Sequence, residues 1–223
     1  MRLTLDQQTF PHTLGKIVCV GRNYAAHAKE LNNPIPSSPI LFIKPASSAV
    51  PFAPAFSIPT EQGRVHHELE VAILIGKALT GASEAQVAES IAGVGLGLDL
   101  TLREVQDTLK EKGHPWERAK SFDGACPLTE FVSSAGFCLS DWQQLELTLI
   151  KDGVTQQQGS SSDMLFPVIP LIAHISQYFS LQPGDVILTG TPAGVGPLKA
   201  GEQLSCRLAL ANNVLLTSDA EVR

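Results

Sequence analysis

The 223-residue chain is expected to fold as a β-rich α+β domain with short helices, and three features of the sequence carry that expectation. Residues 65–75 alternate with period 2: Leu69, Val71, Ile73 and Ile75 form an unbroken apolar row, while His66, Glu68 and Glu70 point the other way. Residues 144–158 read as a hairpin turned at Asp152-Gly153, the strongest short hairpin signal. The few helical patterns are short and marked by capping residues.

In chain order, residues 15–21 read as a short buried strand ending at Gly21, and a small helix follows over 24–31. Seven of the fifteen prolines fall in 34–59, interleaved with apolar residues such as Ile40-Leu41-Phe42-Ile43, which reads as ordered edge segments and turns. Ser83 with Gln86 forms a capping-box pattern opening a helix whose stripe is Val87, Ala88, Ile91 and Ala92, ended by Gly93. In 93–100, Val94, Leu96, Leu98 and Leu100 share one face of a strand, and Gly95, Gly97 and Asp99 the other. Thr101 with Glu104 is a second capping-box pattern, leading a helix striped by Leu102, Val105 and Leu109. A helix over 166–179 takes Ser162 or Asp163 as its cap, with Pro167 in its first turn. The last third is β-rich and closes with a hairpin through Asn212-Asn213.

Length and 43% hydrophobic content suit one substantial core, so residues 1–223 are read as one domain. Net charge is −6 and no basic run offers a phosphate footprint, which argues against nucleic acid. No stretch has the roughly 18 apolar residues of a membrane span, and the N-terminus lacks a signal pattern. Four scattered cysteines with no CxxC pair read as reduced core residues, the usage of a cytoplasmic protein.

Several residues could carry chemistry. Glu68 and Glu70 lie at i and i+2 on one strand face, roughly 6–7 Å apart at Cα, close enough to converge on a divalent cation. The alternative is a half-buried strand with its polar face in water. Asp99, in line with two glycines, either borders a space for a ligand or simply ends its strand. His27 and Glu30, three apart, can touch on a helix face as a general base and its orienting carboxylate, or form an ordinary solvated pair. Lys44 is a surface charge or points into a site at its strand's end. The glycine-rich GTPAGVG stretch either leaves backbone N–H groups open to an anion or is a tight β-turn.

The stretches GRNYAAHAKE (21–30), LFIKP (41–45), VHHELEVAILIGK (65–77), LDLTLREVQ (98–106), PWERAKSFDGACP (115–127), QGSSSDML (158–165) and PGDVILTGTPAGVG (183–196) resemble the fumarylacetoacetate hydrolase family, in particular its short acylpyruvate hydrolase branch. The resemblance implies a β-rich, mixed-sheet roll, usually dimeric. It implies Mg²⁺ or Mn²⁺ held by Glu68, Glu70 and Asp99, and a His27–Glu30 dyad acting with Lys120. Arg22, Lys44, Gln106, Gly190 and Thr191 would line the pocket for a small 2-oxo acid. The activity so implied is metal-dependent cleavage of acylpyruvates to pyruvate and a carboxylic acid. The same site could decarboxylate oxaloacetate or interconvert its keto and enol forms. The rival outside catalysis is a metal-stabilised domain that binds a carboxylate. A helix over 24–31 would act as a lid, and the 190–196 loop would donate N–H groups to substrate oxygen.

Overall fold

The period-2 row of Leu69–Ile75 lies at the centre of a mixed eight-stranded sheet. The computed structural model describes residues 1–223. Along this sheet run Ile40–Lys44, Ile17–Gly21, Val186–Leu188, Leu69–Ile75, Ile91–Leu98, Cys126–Leu128 and Ala49–Pro51, with Val132–Ser133 added beside Ile91–Leu98. Val186–Leu188 runs parallel to Ile17–Gly21 and antiparallel to Leu69–Ile75, so the sheet mixes both senses. A five-stranded sheet orders Val154–Ser160, Leu145–Lys151, Gln203–Leu210, Asn213–Val222 and Ala55–Phe56. A small third sheet holds Thr101–Leu102, Val65–His67 and Gly196–Pro197. The result is the β-rich mixed-sheet fold with short helices that the sequence predicts.

Both faces of the central strand are buried. Leu69, Val71, Ile73 and Ile75 enter the larger core with Val94, Leu96 and Leu98 from the neighbouring strand. Ala72 and Leu74 enter a second, smaller core with Leu128 and Leu188. The strand with a water-facing polar side, one of the two readings of this stretch, is therefore not what forms. The chain breaks at Glu68, which separates Val65–His67 in one sheet from Leu69–Ile75 in another.

The hairpin at Asp152-Gly153 forms with both residues at positive φ. The Ser83–Gln86 capping box forms too, with Gln86 Oε1 accepting the Ser83 N–H at 2.9 Å. That helix stops at Ala88, however, because Ile91, Ala92 and Gly93 join the strand Ile91–Leu98 and pair with Ile75 and Leu74. Apolar residues at these positions suit either element, and the ladder partners decide. The Thr101–Glu104 box does not form. Glu104 accepts from Arg64 instead, and the helix Arg103–Glu111 starts after Leu102 with no side-chain cap. The last helix, Val168–Tyr178, is led by Pro167, while Ser162 and Asp163 sit in a separate 3₁₀ turn. The closing hairpin turns at Ala211-Asn212, both at positive φ, one residue before the expected pair.

Gly95 and Gly97 serve packing, not a ligand. A Cβ at Gly95 would sit 2.8 Å from the Glu130 carbonyl oxygen, and one at Gly97 2.8 Å from both Leu128 Cδ2 and Leu188 Cδ2. Gly95→Ala is expected to cost about 1–3 kcal/mol by forcing residues 129–131 away from the strand. Urea unfolding at constant m-value checks this, and an unchanged midpoint would remove the packing argument.

Candidate metal and substrate site

The antiparallel register builds the acidic cluster. Leu69 pairs with Leu98, which sets Glu68 against Asp99, and the Asp99 N–H donates to the Glu68 carbonyl at 2.8 Å. Glu70, two residues on, faces Gly97 across the ladder. All three carboxylates are buried, and an oxygen from each lies within 4.8 Å of the others.

Buried charge of this kind needs partners. Glu68 accepts from Arg103 Nη2 and, at 2.9 Å, from Lys120 Nζ. Lys120 also reaches Asp99 Oδ2 at 2.5 Å and Thr101 Oγ1 at 2.7 Å. Lys44 Nζ stands 2.8 Å from Asp99 Oδ1. The angle there falls outside a hydrogen bond, so that oxygen has no donor. Glu70 differs from the other two: its only donor is the Gly190 N–H, at 2.6 Å.

The charges respond accordingly. Burial alone would raise the Glu68 pKa, but Lys120 and Arg103 outweigh it and hold the carboxyl well below its ordinary value. Burial raises Glu70, and repulsion from Asp99 and Glu68 pushes it further, well above the usual carboxylate range. Lys120 is depressed by burial, yet Asp99 and Glu68 bring it above its ordinary value, so it stays charged. Three convergent hard oxygens, one without a donor and one carboxyl lacking any cation, fit a small divalent ion such as Mg²⁺ or Mn²⁺.

The sequence-derived dyad comes together only in part. His27 is buried on the helix Ala25–Glu30 and lines the same cleft as the three carboxylates. Its Nδ1 lies 3.5 Å from Glu30 Oε2, a long contact for a dyad. Glu30 accepts instead from the Gly194 N–H, at 3.1 and 3.2 Å. Burial lowers the His27 pKa against the opposing pull of Glu68 and Glu30, which keeps the ring neutral at pH 7. The root of the helix is clamped: Asn23 Nδ2 donates to the Thr189 and Phe166 carbonyls at 2.8 and 3.0 Å.

The pocket residues divide. Arg22, Gln106 and Thr191 line the cleft with Lys120. Arg22 holds φ +58, a left-handed backbone that a non-glycine residue adopts at some cost. Lys44 does not line the cleft; it is fully buried behind Asp99, also donating to the carbonyls of Ala125 at 3.0 Å and Leu100 at 3.4 Å. Gly190 spends its N–H on Glu70, and a Cβ there would stand 2.6 Å from Asn23 Cβ. The 190–196 loop thus directs two of its N–H groups at the protein's own Glu70 and Glu30, where free donors for a substrate were expected.

Sequence reasoning missed Arg103, Lys110 and Gln157. Arg103, Gln106 and Lys110 recur at i, i+3 and i+7, a polar stripe that turns into the site. Gln157, fully buried, accepts the Leu69 N–H at 3.0 Å and donates to Thr191 Oγ1 at 2.7 Å, tying the loop to the strand that carries Glu70. Nothing local in a strand pattern marks it. The inner cleft is small, about 30 Å³, and adjoins two chambers of about 290 Å³ each. One is walled by Ile40, Leu41, Phe42, Ile43, Pro115 and Trp116, the other by His66, Arg103, Asp107, Lys110 and Glu30.

Known proteins share this arrangement of sequence and fold. The chain is 48% identical over 194 residues to oxaloacetate tautomerase YcgM of Escherichia coli, spanning 87% of this chain and 88% of that one. It is 40% identical over 188 residues to the human mitochondrial oxaloacetate tautomerase FAHD1, 84% of each. A crystal structure from Oleispira antarctica, provisionally named a fumarylacetoacetate isomerase/hydrolase, superposes over the full length of both chains with a TM-score of 0.99 and 74% identity. Fumarylpyruvate hydrolase from Pseudomonas aeruginosa, solved with Mn²⁺ and pyruvate, gives a TM-score of 0.88 at 32% identity over 100% of this chain and 95% of that one. The sequence pattern of the fumarylacetoacetate (FAA) hydrolase C-terminal family matches residues 16–215, and the chain belongs to that family.

Proposed function

We propose that the protein is an oxaloacetate keto–enol tautomerase working with Mg²⁺ or Mn²⁺ on Glu68, Glu70 and Asp99. The observation that carries this reading is the cleft itself: a buried carboxylate cluster shares it with a histidine that burial keeps from charging, its Nδ1 3.5 Å from the Glu30 carboxylate. The names of the tautomerase relatives support this ahead of acylpyruvate cleavage, the first activity implied by the sequence. Tautomerisation needs one proton moved between C3 and the C2 oxygen, and no activated water.

Glu68, Glu70 and Asp99 would hold the metal, which would lend Lewis acidity to the 2-oxo acid end of the substrate. His27, through the ring nitrogen turned away from Glu30, takes the C3 proton and delivers it to the C2 oxygen, the reverse transfer regenerating the keto form. Lys120, kept charged by Glu68 and Asp99, stabilises negative charge developing on the C2 oxygen. Arg22, Gln106 and Thr191 position the substrate. A second reading, hydrolysis of acylpyruvates, is favoured by the apolar wall Ile40–Ile43 with Trp116 in the chamber beside the cleft, which suits an acyl tail. It requires His27 and Glu30 to activate water together.

A substrate panel separates the readings. The enzyme is expected to speed the decay of enol-oxaloacetate absorbance, to lose that activity in EDTA, and to release no pyruvate. Cleavage of acetylpyruvate to pyruvate and acetate with no effect on enol decay would overturn the tautomerase reading, and CO₂ release would mark a decarboxylase. His27→Ala should lower tautomerisation by about 10²–10⁴-fold; an unchanged rate removes His27 from the proton transfer.

Glu70→Gln tests the metal assignment. The raised folded pKa means that ionised Glu70 opposes folding above the unfolded carboxylate value, and the neutral amide relieves this in metal-free protein. Metal-free stability at pH 7–8 is therefore expected to hold or rise, while stabilisation by Mg²⁺ is lost. Thermal melts with and without Mg²⁺ decide it, and a variant with wild-type Mg²⁺ stabilisation would exclude Glu70 as a ligand.

A further inference from the structure

The helix Arg103–Glu111 carries the polar stripe Arg103, Gln106 and Lys110 into the cleft. The first two are committed to the protein: Arg103 holds Glu68 and donates to Gln106 Oε1 at 2.7 Å. Lys110 is not. It lines the inner cleft and the polar chamber together, and its nearest carboxylate oxygen is Asp107 Oδ1 at 3.9 Å, on a side chain 58% exposed. A partner so distant and so wet neutralises little. The Lys110 ammonium stands 5.8 Å from the Trp116 ring centre. Arg22, on the wall of the same cleft, has its pKa lowered by burial with no carboxylate opposing the shift.

Two cations facing one cleft, Lys110 with only a distant and exposed counter-ion and Arg22 with no ion-pair partner, are what an anionic ligand group satisfies. Burial lowers the Lys110 pKa, and Arg103, Arg22 and Lys120 add repulsion that Asp107 offsets only in part. Of the other charged groups of the polar chamber, Arg103 holds Glu68, Asp107 faces Lys110 from 3.9 Å, and Glu30 is engaged by the Gly194 N–H. The second chamber beside the cleft carries Ile40–Ile43, Pro115 and Trp116, and its cation, Lys120, is already committed to Glu68, Asp99 and Thr101.

We infer that Lys110, assisted by Arg22, binds the distal carboxylate of a four-carbon dicarboxylic 2-oxo acid and sets the preference for dicarboxylates over 2-oxo acids with apolar tails. This rests on the tautomerase reading of the same cleft. With the 2-oxo acid end at the carboxylate cluster, the far end of the substrate leaves the inner cleft, and Lys110 stands where the cleft meets the polar chamber.

The test pairs two unreactive ligands of equal length, malate and 2-hydroxybutyrate, which differ by a carboxylate in place of a methyl group. With Mg²⁺ present, the wild-type protein is expected to bind malate about 10-fold or more tighter by calorimetry. Lys110→Met and Lys110→Gln should abolish that preference and leave 2-hydroxybutyrate binding unchanged, and Lys110→Arg should restore it. In kinetics, the oxaloacetate KM of the Met and Gln variants should rise by a similar factor with kcat retained. A malate preference that survives both variants, an equal loss for both ligands, or no preference in the wild type would overturn the inference. Wild-type protein that fails to interconvert keto and enol oxaloacetate would sink the tautomerase reading instead, and the malate comparison would still decide the role of Lys110.

Discussion

The structure around the site depends on the balance of three buried carboxylates against three buried cations. Lys44, Arg103 and Lys120 carry no more than 8% exposure, and neither do Glu68, Glu70 and Asp99. Burying so much charge is tolerable only when each group is paired. The pairing is uneven: Glu68 has two cations and Asp99 two, counting Lys120 for both, while Glu70 has a single backbone N–H. The strand register forces Glu70 into this position, since the neighbours that bury Leu69 and Val71 fix the residue between them. A divalent ion held there would supply the missing charge at the one carboxylate that the protein's own cations leave out.

Much of this was legible. The alternation that separates Leu69, Val71, Ile73 and Ile75 from Glu68 and Glu70 identified the strand and its acidic residues, and the Asp152-Gly153 hairpin and the Ser83 capping box formed as read. The break at Glu68 was not legible, because an alternating pattern continues smoothly through a residue where the chain changes sheets. The helix end at Ala88 was misplaced for a related reason: Ile91 and Ala92 fit a helical stripe, and only the pairing of Ile91 with Ile75 and of Gly93 with Leu74, on either side of Ala92, draws them into strand.

The charged residues show the limit most clearly. Lys44 followed an apolar run, a position compatible with surface or site, and it became the fully buried support of Asp99. Its stem leaves a strand that is itself packed, so its head reaches only the carbonyls and carboxylate behind the cleft. Gly190 and Gly194 looked like free donors because their sequence resembles an anion-binding loop. The carboxylates they serve come from 120 and 164 residues away, and no local pattern predicts such partners.

The division of labour follows from where each group is mounted. The three carboxylates sit on or beside strands that are hydrogen-bonded on both sides and packed in two cores, so their convergence is fixed before any ligand arrives. His27 rides on a six-residue helix without a side-chain cap, and Lys110 lies near the end of another. Groups placed this way can differ in reach and partner while the acidic cluster stays intact. In this chain the contact between His27 and Glu30 is long, at 3.5 Å, and Lys110, whose nearest carboxylate oxygen is 3.9 Å away, borders the cleft. Both features belong to the helices and not to the strand framework that holds the carboxylates.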